Sequence, residues 1–260
     1  MEIVVMLKRV PATESMIGIA GDGKSVKTDD LKWVVNPYDE FAVEEALRIR
    51  QNEGGTVTVI SVGTDKTVDT IRTALAMGAD KGILINDPAM ANCDSLATAR
   101  VLAAAIRAIP HDLIIAGMRS VDDDNYQVGP AVAEFLGIPH ISMVIKEEIA
   151  DGRITCHRTV EGGTFVVESS LPALLTTQRG LNEPRYVSMP GIMKAKKKPL
   201  EQKTLADIGL STNDLGSPKT NIVKLSFPPQ RAAGKIIEGD NAAAKASALV
   251  KALIEEAKVL

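Results

Sequence analysis

The sequence predicts the α/β class, with a doubly wound, mostly parallel sheet, an antiparallel hairpin region and a C-terminal arm suited to a partner. Three observations predict it. Four short β-branched runs recur in the first half of the chain, and a segment of helical length follows each of the first three. The 260 residues are 45% hydrophobic yet include only one Trp, three Tyr and four Phe, so Val, Ile, Leu, Ala and Met must build the core. Layered α/β folds have such cores.

The runs IVVML (3–7), TVTVISVG (56–63), KGILIN (81–86) and DLIIAG (112–117) are nearly continuous in apolar residues. That is the pattern of parallel strands covered on both faces. In NPYDEFAVEEALRIR, Asn36 stands at the N-cap, Pro37 at the first helical position, and Asp39 and Glu40 near the positive helix end. Phe41, Ala42, Glu45, Leu47 and Ile49 make an imperfect stripe, and Gly54-Gly55 ends the helix. TDKTVDTIRTALAMGAD repeats the logic, with Thr64 or Asp65 as cap, Val68, Ile71 and Leu75 at helical spacing, and Gly78 as terminator. DSLATARVLAAAIRAI is a third such helix. Alternating strands and helices with right-handed crossovers give a Rossmann-like sheet.

Beyond residue 140 the texture alternates. Residues 141–178 read as an antiparallel region turned at Asp151-Gly152 and Gly162-Gly163. From Leu200 the chain reads as an extended polar segment bearing Pro218, Pro228 and Pro229, then a terminal helix AAAKASALVKALIEEAKVL. A tail so weakly able to form its own core is expected to pack on a partner.

A net charge of −3 argues against a nucleic-acid binder, which needs a broad basic face. Cys93 and Cys156 have no CxxC spacing, so neither a zinc site nor a disulfide framework is signalled. The short apolar start is a strand rather than a signal peptide, and no run suffices to span a membrane. A bacterial cytoplasmic location is expected. His111, His140 and His157 are isolated and read as surface or strand-end residues; no catalytic or metal residues are expected.

The informative stretch is GMRSVDDDNYQVGPAVAEFLG, which follows the fourth strand at its carboxyl end, where open α/β sheets bind ligands. Asn125 to Gly129 lead into a helix begun by Gly129-Pro130, whose positive end suits a phosphate. Three adjacent aspartates would repel that phosphate, so some should turn toward Mg²⁺, ribose hydroxyls or their own backbone. The bland alternative is a solvated acidic turn. No GxGxxG follows the first strand, where KRVPATES stands, and no GxxxxGK[ST] occurs anywhere. GIAGDG leads into no helix and reads as a loop.

Lys194, Lys196, Lys197 and Lys198 crowd behind Ile192-Met193 in LNEPRYVSMPGIMKAKKKP. Exposed apolar groups with basic neighbours describe a docking loop: methionine adapts to partner surfaces and lysines speed encounter.

VVNPYDEFAVEEALRIR, TIRTALAMGAD, DDDNYQVGP, EGGTFVVESSLPALLTT and LNEPRY to IMKAKKK, in this order over about residues 1–235, resemble the small (beta) subunit of electron transfer flavoprotein. The resemblance implies a heterodimer with a large (alpha) subunit and an electron carrier without turnover of its own. FAD would be held mainly by the large subunit, with AMP bound structurally in this chain. The implied cofactor-binding residues are Met6, Asn36, Pro37, Tyr38, Asp39, Gly63, Met118, Arg119, Ser120, Val121, Asp122, Asp123, Asp124, Asn125, Tyr126, Gln127, Val128 and Gly129. Tyr38 corresponds to an aromatic position near the flavin, whereas Thr13 falls where some members carry an aromatic residue. Met189 corresponds to a leucine that anchors the loop in acyl-CoA dehydrogenases; Pro190, Ile192, Met193, Lys194 and Lys197 complete the implied docking set.

The implied organisation is a nucleotide-binding domain over 1–185, a recognition loop over 186–200 and an extension over 201–260 packing on the large subunit. An electron-bifurcating member with a second FAD in place of AMP is the alternative. DDDNYQVGP departs from the DGDTAQVGP of such members, whereas KRVPATES resembles their KQVPDT opening. Outside the family, a stand-alone adenylate-binding sensor would need neither the lysine loop nor the Pro-bearing tail.

Overall fold

The four apolar runs form the centre of one nine-stranded sheet, with β1 (Glu2–Met6), β4 (Thr56–Val62), β5 (Lys81–Ile85) and β6 (Leu113–Gly117) side by side. This computed structural model describes residues 1–230 and 233–259, and the chain divides into two compact units, Met1–Val223 and Lys224–Leu260. In the first unit the remaining strands are β2 (Arg9–Pro11), β3 (Trp33–Val35), β7 (His140–Ala150), β8 (Arg153–Val160), β9 (Gly163–Ser170), β10 (Ala173–Thr177) and β11 (Leu200–Lys203). The large sheet runs β11-β5-β4-β1-β6-β10-β7-β8-β9; β2 and β3 pair as a separate hairpin. Pairing is parallel from β11 to β7 and antiparallel from β7 to β9.

Strand alternation feeds two apolar layers. Ile3 and Val5 point into one, Val4 and Met6 into the other. The first holds α1 (Pro37–Glu53) and α2 (Val68–Met77); the second holds α3 (Ser95–Arg107) and α4 (Val128–Leu136). Each fully buried Ile or Leu contributes about 1.5–3 kcal/mol. Ile3, Leu47, Ile60, Ile71, Ile106 and Ile115 are among those under 2% exposed.

The imperfect stripe of α1 has a physical cause. Ala42, Val43, Glu44, Glu45, Ala46, Leu47 and Ile49 are all buried, because segment 181–187 covers part of the side turned away from the sheet. A helix buried on several faces loses its single stripe.

Four expectations need correction. Ala173–Thr177 is not antiparallel: β10 lies between β6 and β7, parallel to both, and all five residues are buried. Its ALLTT is a short apolar run of the same kind as the central strands. The second hairpin turn is Glu161-Gly162 rather than Gly162-Gly163, since Val160 pairs with Gly163; Asp151-Gly152 turns the first, both with positive φ. The chain after Leu200 is not extended at once, because β11 pairs with β5, a short helix α6 (Thr212–Leu215) follows, and Leu205 and Leu215 enter the second core layer. Finally, the docking segment contains a helix, α5 (Met189–Ala195), started by Ser188, whose Oγ accepts the Gly191 N–H at 3.2 Å.

The second unit carries α7 (Ala242–Ala252), capped by Asn241 Oδ1, which accepts from Ala244 N at 2.9 Å, and a π turn over Leu253–Ala257. Neither has a buried residue. Leu260, included in the expected helix, lies outside the described residues. Among the described residues no helix is long and apolar enough to cross a membrane.

Candidate functional site

After β1 the chain builds outward through β4 and β5, then returns to the other side of β1 as β6. The carboxyl ends of β1 and β6 therefore flank a topological switch point, where an open sheet leaves a crevice. A cavity of about 570 Å³ lies there. That is within the usual range for small-molecule sites.

Of the expected residues, Met6, Asn36, Asp39, Gly63, Met118, Arg119, Ser120, Asp123, Asn125, Tyr126, Gln127, Val128 and Gly129 line it. Pro37, Tyr38, Val121, Asp122 and Asp124 stand outside its lining. Leu7, Lys8, Asn86, Asp87, Asp94 and Ser95 line it although sequence reasoning missed them. Lys8, two residues past β1, and Asn86-Asp87, just past β5, were findable from their place after apolar strands.

Asp39 joins the elements that shape the site. Its Oδ1 accepts from Asn36 Nδ2 at 2.9 Å and Gly117 N at 3.0 Å, and its Oδ2 from Lys8 N at 2.7 Å. Burial pushes the Asp39 carboxyl up to about 7 against these three donors, which favour the charged form. A Cβ on Gly117 would meet Asp39 Oδ1 at 2.4 Å, so glycine is required there. Asn36 also donates to Arg119 O at 2.8 Å and accepts from Val121 N at 3.1 Å, fixing the aspartate loop to the start of α1.

The three aspartates pair with cations, and Asp122 Oδ1 also accepts the backbone N–H of Asp123 at 2.9 Å, one of the expected bonds to their own backbone. Lys8 Nζ reaches Asp122 Oδ1 at 2.9 Å, pairs with Asp123, and donates to Ser120 Oγ at 3.2 Å. Burial opposes the Lys8 charge, but Asp123 and Asp122 outweigh it and hold the pKa above its ordinary value. Arg119 pairs with Asp124, donates to Tyr38 Oη at 2.9 Å, and lies over the Tyr38 and Tyr126 rings at 5.0 and 5.5 Å. Asp124 and Tyr126 have φ of 55° and 58°, which folds the loop back on itself. Among the described residues no cluster of His, Cys, Asp and Glu suits a metal ion.

Three helices begin at the cavity. Asn36 and Asp39 at the start of α1, Ser95 at the start of α3, and Val128 at the start of α4 all line it. α4 starts one residue before the expected Gly129. Gly129 keeps the helix tight on the sheet, since a Cβ would stand 2.8 Å from Thr176 Cγ2. Converging positive helix ends favour an anionic group, and Met6, Val62 and Leu102 supply an apolar wall.

Fold and crevice together define a doubly wound α/β protein with a candidate small-molecule site at its switch point. A family model described as the electron transfer flavoprotein domain matches residues 24–208. Electron transfer flavoprotein subunit beta of Bacillus subtilis (strain 168) is 41% identical over 261 residues, covering 100% of both chains. Its counterpart from Syntrophomonas wolfei subsp. wolfei is 42% identical over 241 residues, 92% of this chain and 91% of the relative. That of Bradyrhizobium diazoefficiens is 40% identical over 235 residues, 90% and 92% of the two chains. The chain belongs to the electron transfer flavoprotein family, among its beta subunits. The family consists of electron transfer proteins, and the resemblance read from the sequence is borne out.

Proposed function

We propose that this chain is the small subunit of a bacterial cytoplasmic heterodimer that shuttles electrons between acyl-CoA dehydrogenase-type flavoenzymes and a downstream acceptor. FAD is held mainly by the large subunit, and AMP is bound structurally in this chain. The flavin supplies the electron chemistry. The residues here bind, orient and position.

The observation that carries the reading is the switch-point cavity of about 570 Å³ met by the beginnings of α1, α3 and α4. In this reading an adenine lies against Met6, Val62 and Leu102, and the phosphate lies toward the helix ends, with Lys8 and Arg119 offsetting the aspartates. α5, with Met189 at its start, enters the dehydrogenase, and the apolar side of α7 packs on the large subunit.

Nucleotide extraction from the co-expressed heterodimer tests this. One FAD and one AMP per heterodimer are expected; two FAD would replace the AMP reading with the bifurcating one. Full nucleotide occupancy in the small chain expressed alone and monomeric would favour the sensor instead.

A further inference from the structure

α5 is held against α2 at a spacing that only glycine permits. A Cβ on Gly191 would stand 2.6 Å from the Ala76 carbonyl oxygen. One turn further on, Ala195 is 2% exposed. Arg72 of α2 donates through Nη1 to the carbonyls of Ala195 at 2.5 Å and Lys198 at 2.7 Å. Lys198 Nζ in turn donates to the carbonyls of Leu75, Gly78 and Ala79 at 3.0, 3.1 and 2.6 Å. A cation at that place satisfies the open carbonyls at the end of α2.

The lysine run is thereby divided. Lys198 belongs to the fold, whereas Lys194, Lys196 and Lys197 are exposed and, among the described residues, engaged by no ion pair. Both flanks of α5 are also fixed. Arg185 Nε and Nη2 grip Glu44 at 2.7 and 3.0 Å before it, and Leu200 pairs with Gly82 after it. On the open side Met189, Ile192 and Met193 stand at i, i+3 and i+4, exposed by 72, 40 and 69%. That spacing makes one apolar stripe on a helix.

We propose that α5 is a preformed docking helix, with Gly191, Arg72 and Lys198 as positioning residues that aim Met189, Ile192 and Met193 together at an apolar pocket rimmed by carboxylates on the partner flavoenzyme. The inference rests on the docking role given to this segment above and adds how the segment is presented. A stripe already ordered before encounter avoids the cost of ordering it on binding. The three free lysines provide the salt-dependent attraction.

The test uses the full heterodimer and an acyl-CoA dehydrogenase reduced by its acyl-CoA, with KM for the carrier and kcat measured at low and high salt. Gly191→Ala and Lys198→Met are expected to raise KM about fivefold at both salts, with kcat, FAD content and AMP content unchanged. Lys198→Arg, which keeps the donors, restores KM. Lys194→Gln with Lys197→Gln raises KM at low salt only. Met189→Ala reads the docking role itself and is expected to raise KM about tenfold. If Met189→Ala raises KM while Gly191→Ala and Lys198→Met stay within about twofold of wild type, positioning is overturned and docking stands. If Met189→Ala changes nothing, both fall. Should Gly191→Ala fail to assemble, Lys198→Met against Lys198→Arg carries the comparison alone.

Discussion

The Oδ1 of Asp39 accepts the backbone N–H of Gly117 at 3.0 Å, so one carboxylate ties the first turn of α1 to the end of β6. The same side chain receives Asn36 Nδ2 and the Lys8 N–H, closing the switch point from three directions. Asp39→Ala leaves these donors without their acceptor. Each unsatisfied buried group costs about 1–3 kcal/mol, so a loss of roughly 3 kcal/mol or more in denaturant unfolding is expected. Nucleotide retained through purification should fall with it. Gly117→Ala is expected to act alike, because its Cβ would press on Asp39 Oδ1 and on Tyr38. Unfolding of Asp39→Ala at the wild-type midpoint would refute the clamp.

Lys8 separates stability from ligand affinity. Its pairs with Asp122 and Asp123 are partly exposed, 40% for the lysine side chain and 26% and 57% for the carboxylates, so they contribute at most about 1 kcal/mol to folding. Removal of the cation nonetheless leaves Asp123 unpaired in the cavity lining, with Asp122 behind it and Arg119 as the remaining cation of the lining. Under the proposed function, Lys8→Met is expected to weaken AMP binding to the heterodimer about tenfold, roughly 1.4 kcal/mol, with thermal unfolding nearly unchanged. Calorimetric titration of nucleotide-depleted protein reads this directly; unchanged affinity would remove Lys8 from the site.

What the sequence made legible follows from where each signal originates. β1, β4, β5 and β6 announce themselves because strands covered on both faces must be apolar throughout. β11, with LEQK, carries no such pattern; its place is set by pairing with β5 rather than by its own burial. β10 was hidden by hairpin signals on its N-terminal side, although its own run matched the central strands. α5 has only seven residues, and Pro184 just upstream disfavours helix, yet serine followed two residues later by proline is a helix start. At the site, the aspartates and Arg119 were legible in one stretch, and Lys8 was not. Lys8 lies more than 100 positions before Asp122, and only the sheet brings it to that loop.

Arg185 and Glu44 offer a test of the segment before α5. Glu44 is 5% exposed and receives Arg185 Nε at 2.7 Å and Arg48 Nε at 3.0 Å. Burial raises its pKa, but Arg185 and then Arg48 outweigh burial and hold it below the ordinary value of 4.5. Removing one partner of a mostly buried pair costs about 3–5 kcal/mol at full burial. With Arg185 33% exposed and Arg48 remaining, Arg185→Met is expected to cost on the order of 2 kcal/mol. Hydrogen exchange should rise in segment 181–187 and not in β1 or β6. Protection unchanged in that segment would show that the pair does not hold it.

Glu147 on β7 gives the fold a pH dependence of opposite sign. Burial, then the charge of Glu45 and contact with it, push the Glu147 carboxyl up to about 7 from an ordinary 4.5. The folded chain thus keeps a proton that the unfolded chain has already released, and this group's contribution is fully present below about pH 4.5 and lost as pH rises through about 7. Asp39 acts in the same direction, whereas Glu44, with its lowered pKa, contributes above its unfolded value and loses that contribution in acid. The neighbouring Cys156 thiol, pushed up to about 12 by burial and then by Glu147, stays protonated throughout and does not confuse the reading. Glu147→Gln fixes the neutral form. Its Tm should match wild type near about pH 5 and exceed it by several degrees near about pH 8, because the wild-type protein alone must then hold a carboxylate beside Glu45. A difference in Tm that stays constant across that range would mean that the Glu45–Glu147 pair does not share its charge in the folded protein.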